Sequence, residues 1–148
     1  FTPKEVSELY QLRALLETQA ASLIPQSPDP DALNELIEIQ EAHDAAVQAN
    51  DPRRVFRANV RFHQALFGLT GNVVLQRAIA EYARQTHPIR FSSLVSPDYR
   101  QKACREHWQM IAALKAGDRD TLVTLCREHL LPSRDAYLSA NQHRFGPP

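Results

Sequence analysis

The sequence predicts an all-α fold, an antiparallel bundle of about six helices that forms a single domain over residues 1–148. Proline, glycine, aspartate and asparagine divide the chain into segments of helical length, and apolar residues recur within these segments at spacings of three and four. Hardly any alternating β-branched run competes with this pattern. The 148 residues suffice for one core that buries roughly two-thirds of the surface of the unfolded chain.

Six helices are predicted, at residues 3–24, 31–49, 52–70, 72–95, 97–116 and 118–139. The first stops at the proline-rich stretch 25–30, because proline has no backbone N–H to donate. The third follows the N-cap Asp51 and a first-turn proline, Pro52, and it ends where Gly71 can adopt a left-handed conformation.

Proline also marks the later helices. Pro88 is expected to kink the fourth helix or to end it before the pattern runs out at Val95. Pro97 opens the fifth helix, Gly117 caps it, and Pro132 is expected to bend the sixth. The tail at residues 142–148 is expected to fray.

Composition restricts the class of protein. The 17 basic and 17 acidic residues balance, so this segment is not expected to bind nucleic acid by itself. No apolar run is long enough for a membrane span, and both cysteines, Cys104 and Cys126, lie in helical patterns that favour free thiols. We therefore expect a cytoplasmic protein. Because the chain begins at Phe1, we also expect that an N-terminal domain is absent from it.

Polar side chains interrupt the stripes that should face the bundle axis. The stripes with such interruptions are Val6, Leu9, Arg13, Leu16, Ala20 and Leu23; Phe56, Asn59, His63, Leu66 and Thr70; Cys104, His107, Ile111 and Leu114; and Leu122, Cys126, His129 and Ala136. Burying a polar group without a partner costs on the order of 1 to 3 kcal/mol. The arginine, the asparagine and the three histidines therefore need one another or a ligand.

A divalent metal satisfies four of these residues at once. Asn59 and His63 are four residues apart and share a helix face, and His107 and His129 add two more imidazoles. Three imidazoles and one oxygen suit zinc, nickel or a similar ion with a coordination position left for an outside ligand. Arg13 is then the natural clamp for a carboxylate bound at that position, although it could instead pair with an acid such as Glu17.

Other polar residues are weaker candidates. His87 and Arg90 flank Pro88, where a bent helix could turn them into a cavity or leave them solvated, and we assign them to ligand binding. Glu106 and Glu128 adjoin two of the stripe histidines but point about 100° away from them, as solvated residues or partners of the histidines. The two cysteines are expected to fill the core. We assign no role to His43 or His143.

These residues also resemble a known family. The segments ELYQLRALLE, ANVRFHQAL, GN, REHWQMIAALKAGDRDTL and CREHL together resemble the FCD ligand-binding domain, which follows a winged-helix domain in GntR-type transcription regulators. The resemblance spans nearly the whole chain. It implies a helical bundle that holds a divalent metal on Asn59, His63, His107 and His129, with a small organic acid contacting the metal and Arg13.

The resemblance further implies an effector sensor that acts as a homodimer and contacts DNA through a missing N-terminal domain. Many relatives have aspartate where this chain has Asn59, so metal affinity is expected to be lower here unless the ligand supplies the missing charge. The chain is closer to the shorter FCD group, which favours a compact acid.

Two other functions remain open at this point. A metal-dependent helical-bundle enzyme, a hydrolase or transferase, would need a base or nucleophile near the metal, and no stripe carboxylate supplies one convincingly. A purely structural or dimerisation bundle would need each core histidine to find its own hydrogen-bond partner. We predict that the protein is not an enzyme.

Overall fold

The computed structural model describes residues 1–142, and this part of the chain forms eight helices with no strand. They are α1 (Pro3–Leu23), α2 (Pro30–Gln48), α3 (Pro52–Gly68), α4 (Val73–Gln85), α5 (His87–Ser93), α6 (Pro97–Ala116), α7 (Arg119–Glu128) and α8 (Leu131–Ala140). The predicted all-α class is confirmed. The predicted fraying of the tail concerns residues that, apart from Gln142, lie outside the described part.

Eight helices replace the predicted six because two of the predicted helices are each divided before a proline. Pro88 lies in the first turn of α5, and Pro132 lies in the first turn of α8. The first turn is where proline costs a helix nothing, since its missing N–H has no partner within the helix there. The expectation that Pro132 only bends the last helix was wrong: α7 ends at Glu128, with His129 as its C-cap.

Capping residues explain most of the remaining boundaries. Asp51 accepts a hydrogen bond from the backbone N–H of Arg54, as expected of an N-cap. α6 ends at Gly117, whose φ of 66° is a left-handed conformation, and Asp118 then caps α7. α3 ends at Gly68, three residues before Gly71, which adopts a φ of 68°.

The main core lies where α1, α2, α3, α6 and α7 meet. α2 packs on α3, α1 packs on α7, and α6 packs on both α2 and α7. The larger buried side chains of this core are Ile24, Leu36, Ile39, Phe62, Leu66, Phe67, Met110, Ile111, Leu114 and Leu122. Within residues 1–142 no helix is both long and apolar enough to cross a lipid bilayer.

The buried face of α1 differs from the predicted stripe. Tyr10, Glu17 and Ala21 are buried, whereas Leu23 is 48% exposed. A helical stripe can advance by three or by four residues at each turn, and the sequence alone does not fix which. The same ambiguity affects α8, where Tyr137 is buried and the predicted Ala136 is exposed, because the helix restarts with a new phase at Leu131.

A second apolar cluster fixes the short helix α5. It is formed by Val6, Tyr10, Ile89, Leu130 and Tyr137, which join α1, α5 and the start of α8. The hydroxyl groups of Tyr10 and Ser133 are hydrogen-bonded at 2.8 Å in the same region. Because Ile89 is anchored here, the neighbouring residues His87 and Arg90 of α5 are held at the edge of the cavity described below.

Candidate metal centre

Three histidines from three different helices come together inside the bundle. One ring nitrogen from each of His63, His107 and His129 lies within 4.8 Å of the other two. The ring centroids of His63 and His129 are 5.1 Å apart, and those of His107 and His129 are 5.0 Å apart. α3, α6 and the C-cap of α7 therefore bring together three imidazoles that are far apart in the sequence.

Two of these rings have one nitrogen hydrogen-bonded and the other without a partner. His107 donates from Nδ1 to Oε1 of Gln40 at 2.8 Å, and His129 donates from Nδ1 to Oε1 of Glu106 at 3.1 Å. A neutral imidazole that donates from Nδ1 has its lone pair on Nε2. In both residues Nε2 is buried and has no hydrogen-bond partner among residues 1–142, as expected of a metal ligand whose other nitrogen is fixed by a hydrogen bond.

α3 contributes two further unsatisfied side chains. Both ring nitrogens of His63 and the Oδ1 oxygen of Asn59 are buried without a hydrogen-bond partner among the described residues. Asn59 is 3% exposed and lies one helical turn from His63. Leaving this many polar atoms unpaired at one place is costly, so the arrangement favours the binding of a partner that the chain itself does not supply.

The surroundings keep the imidazoles neutral. Phe62 stacks on the ring of His107 with centroids 3.9 Å apart and excludes water from it. Burial lowers the pKa of His63 and of His107 well below the ordinary histidine value. Burial also lowers the pKa of His129, against the opposing effect of the Glu106 carboxylate. Neutral rings have the lone pairs that a metal requires.

A cavity of about 730 Å³ lies beside this cluster. Its lining comes from α1, α3, α4 and α5 and includes Arg13, Glu17, Asn59, His63, His87 and Arg90. The volume is within the range of small-molecule sites. Asn59 and His63 therefore lie on the wall of this cavity. The three residues predicted to bind a ligand, Arg13, His87 and Arg90, line the same cavity.

Arg13 forms the ion pair that the sequence left open as an alternative. Its Nε donates to Oε2 of Glu17 at 3.0 Å, and its NH1 donates to the hydroxyl of Thr86 at 2.9 Å. Arg13 and Glu17 are 3% and 2% exposed. Most of the hydrogen-bonding capacity of Arg13 is thus used within the protein.

Arg90 differs from Arg13 in this respect. It is 3% exposed, its NH2 has no hydrogen-bond partner, and it has no ion-pair partner within the described residues. His87, on the same helix, is in edge-to-face contact with the ring of Phe56 at 5.0 Å. Burial lowers the pKa of His87, and the nearby Arg90 lowers it further.

Two further buried residues lie next to the cluster: Gln40, which the sequence pattern did not single out, and His43, to which no role was assigned. Both are fully buried, and Nε2 of Gln40 donates to Nδ1 of His43 at 3.2 Å while its carbonyl accepts from His107. Burial lowers the pKa of His43 to about 4. The three-four spacing of the buried residues of α2, which are Leu36, Ile39, Gln40, His43, Ala46 and Val47, was the signal that could have found them.

The other residues considered in the sequence differ in whether they contact the histidine cluster. Glu106 bonds to His129 and to Lys102, whereas Glu128 is exposed. Burial by itself would raise the pKa of Glu106, but the hydrogen bonds and positive charges of His129 and Lys102 together outweigh burial and lower the pKa. Cys104 and Cys126 are free thiols packed among apolar residues, and burial raises the pKa of both. His143 lies outside the described residues.

Together these features define a helical domain in which a buried three-histidine cluster adjoins a cavity. Residues 8–131 match the family model of the FCD domain. The chain belongs to the FCD domain family, which confirms the resemblance identified in the sequence.

Similar proteins agree with this assignment. The chain is 23% identical over 131 residues to an uncharacterized HTH-type transcriptional regulator, YdhC, of Bacillus subtilis, covering 88% of this chain and 57% of that protein. Among solved structures, it is similar to E. coli McbR/YncC, with a TM-score of 0.83, 20% identity and coverage of 93% of this chain and 69% of that one. It is also similar to Streptococcus agalactiae GntR, with a TM-score of 0.74, 23% identity and coverage of 88% and 58%.

At these identities the two solved structures show that the fold is shared. The chain spans little more than half of the length of the curated relative. The relatives carry further sequence beyond the region that matches this chain.

Proposed function

We propose that this chain is the effector-sensing domain of a transcription regulator and that it binds a small carboxylic acid at a divalent metal inside the helical bundle. Asn59, His63, His107 and His129 would hold the metal, which we expect to be zinc or nickel. When bound, such an ion supplies a Lewis-acidic centre with room for an outside oxygen ligand.

This proposal rests on the buried ring nitrogens of His63, His107 and His129, which lie close together and lack hydrogen-bond partners among residues 1–142. Core histidines that served only packing would satisfy both ring nitrogens, yet Nε2 of His107 and of His129 is buried and unpartnered. Their Nδ1 atoms are held by Gln40 and Glu106, which orients both rings toward the cluster. This pattern favours a metal site over a purely structural bundle.

The cavity supports a small acid as the effector. Arg90 offers an unpaired guanidinium nitrogen, and Arg13 and His87 line the same space. Arginine binds carboxylates through charge-assisted hydrogen bonds. We assign all three residues to the effector site, with Arg90 as the main contact because Arg13 already pairs with Glu17.

Glu17 and Glu106 already have hydrogen-bond partners, which favours a sensor over an enzyme. Glu17 faces Arg13 with both oxygens, and Glu106 accepts hydrogen bonds from His129 and Lys102. Neither carboxylate is therefore free to act as a general base at the metal. The Bacillus subtilis relative, which is named as an HTH-type transcriptional regulator, supports the same conclusion.

Regulation would follow from differential binding. We propose that two copies of the domain form a homodimer that holds N-terminal winged-helix domains, through which the regulator contacts DNA. An effector that binds one arrangement of the dimer more tightly shifts the population toward it and changes the spacing of the recognition helices.

The metal part of this proposal is tested by thermal melting of the chelator-treated chain with and without added zinc or nickel. At a thousandfold excess over the dissociation constant, a ligand specific for the folded state adds about 4 kcal/mol to the free energy of unfolding. We expect the melting temperature to rise by roughly ten degrees for a chain of this size.

His63→Ala should remove most of this metal-induced rise, because it deletes a ligand from the wall of the cavity. Arg61→Ala, which removes an exposed side chain of the same helix, is the control variant and should keep the rise. A wild-type chain whose melting temperature is unchanged by either metal would contradict the metal site.

A further inference from the structure

The charges that line the cavity do not balance. Four arginines and two glutamates line it, and each glutamate is already paired: Glu17 with Arg13, and Glu81 with Arg84. Arg77 and Arg90 remain, and neither has an acid within ion-pair distance among residues 1–142. The empty space is thus bordered by two cations without counter-ions.

These two cations lie at different depths. Arg90 is 3% exposed and has a buried, unpartnered NH2, whereas Arg77 is exposed to solvent. Glu17 and Glu106 offset part of the buried charge of Arg90 without forming an ion pair with it, so its NH2 is left to donate to an anion that enters the interior. Arg77, on α4, can bind a second anion nearer the solvent.

The proposed metal site adds to the excess of positive charge. Its four protein ligands are one amide oxygen and three imidazoles, and none of them carries a negative charge. A divalent ion held by this set would be compensated in part by the Glu106 carboxylate behind His129 and otherwise by what enters the cavity. An effector with a single carboxylate would leave part of the positive charge of the ion, Arg77 and Arg90 uncompensated.

We infer that the effector is an acid with two anionic groups, in which one carboxylate reaches Arg90 and the metal while a second carboxylate or a phosphate pairs with Arg77. This inference rests on the proposed function, because it places the acid in the same cavity. The volume of about 730 Å³ leaves room for a chain between the two groups.

Calorimetric titration of the zinc-loaded 148-residue chain tests the inference with matched pairs of acids. Suberate is compared with octanoate, succinate with butanoate, and 3-phosphoglycerate with glycerate. We expect at least one doubly anionic acid to bind about fivefold or more tightly than its singly anionic match. The pair that shows the preference distinguishes a carboxylate from a phosphate as the second group.

Variants of Arg77 and Arg90 test whether these two residues cause the preference for doubly anionic acids. Arg77→Gln should weaken binding of the doubly anionic acid about fivefold and leave binding of its singly anionic match unchanged. Arg90→Gln should weaken both, and Arg90→Lys should restore part of the affinity. Arg57→Gln, which removes an exposed arginine of α3 outside the cavity, should change neither.

Equal binding of both members of every pair would overturn the inference, and so would a preference that survives in Arg77→Gln. Failure of all the doubly anionic acids to bind to a chain that does bind zinc would also count against it. Zinc that leaves the melting temperature unchanged would instead contradict the proposed metal site, so the two failures are distinguishable.

Discussion

At the scale of single residues, the hydrogen-bond partners of the histidines carry as much information as the histidines themselves. Glu106 directly precedes His107 in the sequence and Glu128 directly precedes His129, which makes the two glutamates equivalent candidates there. In the structure, Glu106 accepts from Nδ1 of His129 at 3.1 Å, whereas Glu128 is exposed. Side-chain direction, which differs by about 100° per residue on a helix, decides between them.

Glu106→Ala should therefore weaken zinc binding by roughly 10- to 100-fold, because His129 loses the acceptor that fixes its ring and its tautomer. Competition for zinc with a chromogenic chelator measures the affinity. Glu128→Ala removes the same charge from an exposed position and should leave the affinity unchanged. Equal effects of the two variants would mean that net charge, and not the hydrogen bond to His129, controls affinity.

At the scale of helices, glycine positions show which boundaries are fixed by the backbone. Gly117 ends α6 with a φ of 66°, and a Cβ atom there would lie 3.1 Å from Cγ of Gln26. Gly68 ends α3, lacks a positive φ, and has no heavy atom within 4 Å of where a Cβ would lie. Both glycines lie at the C-terminal end of a helix, but of the two only Gly117 has a backbone conformation that disfavours other residues.

Gly117→Ala should lower the free energy of unfolding by about 1 to 2 kcal/mol, because a residue with a Cβ is disfavoured in the left-handed region. Gly68→Ala should be neutral or stabilise by roughly half a kcal/mol, since alanine reduces the entropy of the unfolded chain. Urea denaturation of the two variants measures both effects. A Gly117→Ala variant as stable as wild type would show that the α6 to α7 turn relaxes without cost.

At the scale of the whole molecule, the histidine cluster connects parts of the bundle that meet only in the tertiary structure. His63 comes from α3, His107 from α6, and His129 from the break between α7 and α8. A metal bound to all three would cross-link these helices. The break at residues 129–130, where no intact helix restrains the chain, would be stabilised most.

We therefore expect zinc to slow amide hydrogen exchange most strongly at residues 126–133, with a clear effect also around His63 and His107. The segment 25–29, which connects α1 to α2 away from the cluster, serves as the internal reference. Mass spectrometry of peptides from chelator-treated and zinc-loaded protein gives both rates. Protection confined to regions other than the three histidine-bearing segments would contradict a metal bound by this set.

The sequence by itself determined the all-helical class, most helix boundaries and the family, because these depend on local signals. Asp51 and Gly117 cap helices through contacts within a few residues, and the prolines exclude certain helix interiors wherever they occur. The inward positions of His107 and His129 follow from the same local periodicity. Local physics therefore predicted the candidate ligands one helix at a time.

Only the tertiary structure decided which side chains meet. It pairs Arg13 with Glu17, leaves Arg90 unpaired, and buries Gln40 and His43 against His107. These outcomes depend on how helices pack and on the phase with which α5 and α8 restart after their breaks, and both are set by contacts between residues far apart in the chain. The three-four spacing of apolar residues predicts which face of a helix is buried, but it does not predict which other helix packs against that face.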